Sequence, residues 1–230
     1  MKSSLFLLFF VFIIQNQISA QNTGENKFGS WYEITSSNRI SAKLSLSGSF
    51  TNWDYELPVN NEHLLLGIVG LNYHFNKKVA VGIGYAFGDI DSTFEINDIP
   101  HTIENRIIEQ LAISHKLNTI GFSHRFRLEQ RFLEYPSDNL LKHRIRYRFK
   151  VKIPLSNTLF ISTYDEIHFH LNEFEFQQNR AYLGLGFNLN ENINFDLGYA
   201  RHSFKTKSFN RLSLQLNLKY DFSKKKDKVN

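Results

Sequence analysis

Along most of the chain, apolar and polar residues alternate one for one. Ile40, Ala42, Leu44, Leu46, Gly48 and Phe50 are interleaved with Ser41, Lys43, Ser45, Ser47 and Ser49. A period of two is that of a β-strand, whose successive side chains point to opposite faces. The same alternation predicts strands over 63–75, 79–88, 120–132, 141–153, 159–171, 176–189, 193–202 and 209–222. A further strand over 102–115 loses phase around Glu104–Gln110, which predicts a bulge, and Asp165 on an apolar face predicts another. A short strand over 29–36 carries Trp31 and Tyr32 and runs into a turn at Ser37-Asn38.

The segment 141–153 has the most extreme pattern. Lys142, Arg144, Arg146, Arg148, Lys150 and Lys152 alternate with His143, Ile145, Tyr147, Phe149, Val151 and Ile153. One face carries only cations and the other is almost wholly apolar. Where each face can sit decides the fold.

A soluble β-sandwich also pairs one apolar with one polar face. Three features favour a barrel in a membrane. The predicted strands run about 11 to 15 residues, whereas strands of soluble proteins cluster near 5 to 6 and a spanning strand needs about 9 to 11. The polar faces mix large cations with Gly82, Gly84, Gly88, Gly184, Gly186 and Gly198, which a narrow lumen needs so that small residues leave room for arginines. Aromatic pairs end the apolar faces (Tyr73 and Phe75, Tyr85 and Phe87, Tyr220 and Phe222), as in the girdles of outer-membrane barrels. The expectation is an all-β fold: a transmembrane antiparallel up-and-down β-barrel of 10–12 strands over residues 21–222. The connections at 76–77, 116–118, 154–157 and 190–192 are short, and those at 54–62, 89–101 and 134–139 are longer. Short turns belong on the periplasmic side. The second to eleventh strands then make ten, and the Trp31 segment is left to lie in the lumen or pair as an extra strand.

The first twenty residues read as a cleaved signal peptide, with Lys2, an apolar run over 5–14 and a small residue at Ala20. The protein is therefore expected to be exported to the outer membrane. Removing Lys2, the single charge of that segment, lowers the net charge from +5 to +4, which does not suggest nucleic acid. Cysteine is absent. Residues 223–230 form a lysine-rich periplasmic tail.

The polar faces supply the candidate chemistry. With apolar faces toward lipid, the lumen receives Arg144, Arg146 and Arg148 from the cationic strand, Arg125, Arg127, Glu129 and Arg131 from 120–132, and Glu104 and Arg106 from 102–115. Glu166, His168 and His170 join them from 159–171, and Gln178 and Arg180 from 176–189. Charges in a poorly hydrated lumen form hydrogen-bonded networks, and the hairpin registers bring Glu129 opposite Arg144 and Glu166 near Arg148. The leading reading is a salt-bridged plug. The alternative is a narrow anion-selective channel or a binder of small anions, since cations exceed acids. A third class is an outer-membrane lipid-modifying enzyme using His202-Ser203, Ser123-His124 or His168 and His170. Adjacent Ser and His on one strand point to opposite faces, so no catalytic residue is assigned. His168 and His170 share a face without an evident third ligand, so no metal or other cofactor is assigned. The expected partners are outer-membrane lipids, the barrel-assembly machinery and a small anionic ligand.

Trp31, Glu104-Asn105-Arg106, the run from Arg125 to Phe132, Arg144-Ile145-Arg146-Tyr147-Arg148, Asp165-Glu166, Gln178-Asn179-Arg180 and Leu197-Gly198-Tyr199 together resemble the family called domain of unknown function 2490. The resemblance covers nearly all of the mature chain. It implies an exported Gram-negative outer-membrane β-barrel and no established activity.

Overall fold

Alternation at this length has one way to satisfy every backbone group without water, which is to close the sheet on itself. The computed structural model describes residues 23–91, 93–96, 101–172 and 174–223. The expected signal peptide lies outside them, as does all of the expected tail but Ser223. Eleven strands form a closed barrel: β1 (Phe28–Arg39), β2 (Leu44–Glu56), β3 (Asn60–His74), β4 (Val79–Ile90), β5 (Thr102–Leu117), β6 (Ile120–Glu134), β7 (Asn139–Pro154), β8 (Leu159–His170), β9 (Glu175–Asn188), β10 (Ile193–Phe204) and β11 (Ser208–Asp221). Sequence neighbours pair antiparallel. The seam between β1 and β11 is parallel, from Phe28 opposite Asn210 to Arg39 opposite Asp221. An odd number of alternating strands leaves the first and last running the same way. The Trp31 segment is thus a full wall strand, and the barrel is up-and-down except at this seam.

Several local expectations are corrected. The second strand starts at Leu44, not Ile40, because residues 40–43 form its turn: Ile40 N and Ser41 N both donate to the Leu44 carbonyl, and Ser41 Oγ accepts from Leu44 N at 3.0 Å. Ser37 and Asn38 belong to β1. The loop expected at 54–62 shrinks to 57–59, since β2 and β3 stay paired through a register shift at Trp53/Asp54. No shift interrupts β5; its phase looks muddled because an isoleucine, Ile108, points inward and is buried. In β8 the shift falls between His168 and Phe169, not at Asp165. That carboxylate does lie on the outer face, where Asn179 Nδ2 donates to both of its oxygens at 2.9 Å.

The wall is inside-out relative to a soluble protein. Leu46, Val69, Ile83, Phe126, Leu183 and Leu197 are exposed on the outer face, and the paired Tyr73 and Phe75, Tyr85 and Phe87 also stand exposed there. The fully buried side chains include Glu104, Glu129, His168, His202 and Arg211. The lumen glycines do make room, but chiefly for aromatic and amide groups. A Cβ on Gly186 would meet the Phe160 ring, one on Gly184 the Tyr182 hydroxyl, and one on Gly82 the Asn72 amide. One rim carries the connections 40–43, 75–78, 118–119, 155–158 and 189–192. The other carries 57–59, 91–101, 135–138, 171–174 and 205–207, of which 91–101 alone is long. On that loop rim a single 3-10 turn, Gly24–Asn26, packs on Tyr55. Gly24 N donates to the Phe94 carbonyl at 3.2 Å, and Glu25 accepts from Ser208 N at 3.0 Å.

Candidate functional site

The registers of β5 to β9 put the charged lumen residues side by side. Glu129 on β6 faces Arg144 on β7, and the two form the expected ion pair. The other Glu129 oxygen takes Arg146 Nη1 at 2.6 Å and has Arg106 Nη1 at 3.8 Å. Glu104 accepts from Arg106 Nε at 2.7 Å and from Arg131 through two nitrogens at 2.6 and 2.8 Å, a fork-to-carboxylate fit that fixes angle as well as distance. Glu166 holds Arg125 at 2.7 Å and Arg146 at 2.8 Å, and His168 Nε2 lies 3.5 Å away. Arg148 is opposite Glu166 in register, yet its guanidinium lies over the Tyr164 ring at 5.5 Å. Glu166 pairs with Arg125 and Arg146 instead, because it reaches diagonally across β7. Three glutamates thus bind five arginines across β5 to β8, with Arg146 joining two of the carboxylates.

The remaining expected residues extend this layer. Gln178 Nε2 donates to His168 Nδ1 at 3.3 Å, and Arg180 Nε donates to Gln178 Oε1 at 3.2 Å. Arg127 Nε donates to Gln110 Oε1 at 3.1 Å. His170 lines the cavity on the loop side.

Opposite the ion pairs stands an aromatic half of the layer that sequence reasoning missed. The Trp31 and Trp53 rings meet edge to face at 5.2 Å, and His202 touches both, at 5.0 and 4.3 Å. Tyr164 stacks on Tyr182 at 5.1 Å. Arg180 lies 4.4 Å over the Trp53 ring, which ties the two halves together. Arg211, buried in β11, donates to His63 Nδ1 at 2.6 Å and to His202 Nδ1 at 3.2 Å, between the Trp53 and Phe209 rings. One signal was available in the sequence: Arg211 is in phase with the polar Ser213, Gln215 and Asn217.

Among the described residues, this layer lies between two cavities inside the barrel. One, about 170 Å³, lies toward the loop rim and reaches Phe94, Tyr135 and His170. The other, about 400 Å³, lies toward the turn rim and reaches Ser37, Ser45 and Lys150. Trp53, Leu66 and Arg180 belong to the walls of both.

The Ser and His pairs considered for hydrolysis are not brought together. His202 is in the lumen with Arg211, while Arg201 and Ser203 point outward beside it on β10. His124 stands on the outer face, bonded to the Tyr147 hydroxyl at 2.9 Å, and Ser123 points away from it. On the loop rim, Glu62, Asp89 and His101 each bring one ligand atom within 4.8 Å of the others. They come from three separate elements, so no spacing in the sequence points to them. His101 Nδ1 and Asp89 Oδ1 already share a hydrogen bond at 2.9 Å.

The family model described as "Protein of unknown function (DUF2490)" matches residues 28–213. No curated protein matches the sequence. Similar solved structures include the translocator domain of the autotransporter NalP from Neisseria meningitidis, at TM-score 0.46 and 12% identity over 75% of this chain and 72% of that one. Another is LpxR from Salmonella typhimurium, at TM-score 0.45 and 8% identity over 76% of this chain and 83% of that one.

Proposed function

The chain belongs to the DUF2490 family of proteins of unknown function, and from that premise we propose that it is an outer-membrane β-barrel whose lumen is closed. The observation that carries this reading is the common wall of the two lumen cavities, with Trp53, Leu66 and Arg180 in it and the ion pairs of Glu129, Arg146 and Glu166 beside it. An eleven-stranded barrel is wider than the roughly eight-stranded kind that side chains simply fill, and narrower than the roughly 16-stranded kind that leaves an aqueous channel. Here arginines and aromatics fill the difference. An anion-selective channel would have to break this layer to conduct.

The exposed apolar band supports a barrel wall that meets outer-membrane lipid, and on this reading the barrel-assembly machinery inserts it. The turn rim then faces the periplasm and the loop rim the exterior. On this reading the protein fractionates with the outer membrane and migrates faster on gels before boiling than after. Proteoliposomes containing it swell in isosmotic arabinose no faster than protein-free liposomes. Recovery from the soluble periplasm, or swelling that rises with the amount of protein, contradicts the reading.

A further inference from the structure

The cavity on the turn side carries far more positive charge than its own acids neutralise. Arg125, Arg127, Arg146, Arg148, Lys150 and Arg180 line it, against Glu33 and Glu166, a surplus of four positive charges. The register makes this worse, since Arg125 stands directly opposite Arg148 and Arg127 opposite Arg146, and like charges directly across a strand pair repel. Glu166 relieves only Arg125 and Arg146. Among the described residues Arg127, Arg148 and Lys150 have no carboxylate at ion-pair distance, and Arg127 leans on the neutral amide of Gln110. Arg125 Nε and Arg148 Nε are buried without a hydrogen-bond acceptor. A group of buried donors with no acceptor is costly to maintain, and a bound oxyanion would satisfy it.

The facing wall is different in kind. Thr35, Ser45, Ser47, Ser49 and Thr51 come from β1 and β2, and these hydroxyls suit a polyol body rather than a second charge. At about 400 Å³ the cavity falls within the roughly 300 to 1,000 Å³ of small-molecule sites.

We infer that this cavity is a binding site for a phosphorylated, hydroxyl-bearing small molecule, with the phosphate held by Arg127, Arg148 and Lys150 and the hydroxylated body against the Ser/Thr wall. The inference rests on the closed-lumen reading, because an open channel would pass the anion rather than hold it. The phosphate can arrive on a free sugar phosphate or on a phospholipid headgroup, and the two sources separate experimentally.

The two tryptophans of the chain, Trp31 and Trp53, both line the cavity, so their fluorescence reports binding. Full-length folded protein in neutral detergent is titrated with glucose 6-phosphate, with glucose, and with phosphatidylglycerol in mixed micelles. A saturable change with glucose 6-phosphate, weakened at least tenfold in R148Q/K150Q and in S49F, supports the site and assigns a free solute. Saturation with phosphatidylglycerol alone, weakened in the same variants, supports the site and assigns a headgroup. S49F crowds the cavity while keeping every cation, so it separates occupancy from general charge attraction. No saturation with either phosphate, equal response to glucose, or unchanged binding in both variants overturns the inference. Swelling of proteoliposomes made from the same preparation reports separately on whether the lumen is closed.

Discussion

Replacing Glu129 by Gln is expected to destabilise the barrel by about 3 to 5 kcal/mol, the cost of leaving buried charges without their partner. Glu129 is 0% exposed and holds Arg144 and Arg146 with Arg106 nearby. Arg146 keeps Glu166 after the change, but among the described residues Arg144 keeps only the neutral Gln177 at 3.0 Å. A glutamine amide also brings its own donor into a site crowded with donors. The measurement is the urea midpoint at which the fast-migrating folded band disappears in lipid vesicles. Arg148→Gln is the internal contrast. It breaks no ion pair and removes the repulsion across from Arg125, so its midpoint should stay level or rise. If Glu129→Gln and Arg148→Gln lowered the midpoint alike, the ion pairs of Glu129 would contribute no more to stability than a cation without a carboxylate partner, and the network reading would fail.

The second large effect is expected on the outer face. Leu185 is 40% exposed and sits in β9 between Ile161 of β8 and Leu197 of β10. Leu185→Lys should cost about 2 to 4 kcal/mol near the bilayer midplane, falling toward zero at the interfaces. Leu185→Phe keeps the surface apolar and should assemble normally. Equal assembly of the lysine and phenylalanine variants would mean that this face does not meet lipid.

Much of this architecture is legible in the chain because a period of two assigns each residue to a face without reference to anything distant. Glu129 and Arg144 could be paired from the short connection between their strands, and the structure pairs them. Glu166 shows where that logic stops. Its register partner is Arg148, but side chains as long as arginine and glutamate choose between direct and diagonal neighbours by local packing. Trp31 shows a second limit. Its strand closes the barrel against β11, some 180 residues away, and no local turn announces a long-range parallel seam. The beginning of β2 is hidden for a third reason. Ser41 and Lys43 continue the alternation by chance, while the Ser41 hydroxyl is used to build the turn. The aromatic half of the lumen layer has the same origin as the seam: Trp31, Trp53, Tyr164 and His202 meet only because the barrel is closed.

The closed lumen is the central claim, and planar-bilayer recording tests it most directly. Purified protein, inserted from detergent and verified as folded by its migration before boiling, should give no steady current at any applied voltage in potassium chloride. Reproducible steps of steady, anion-selective current from the unaltered protein would contradict the account.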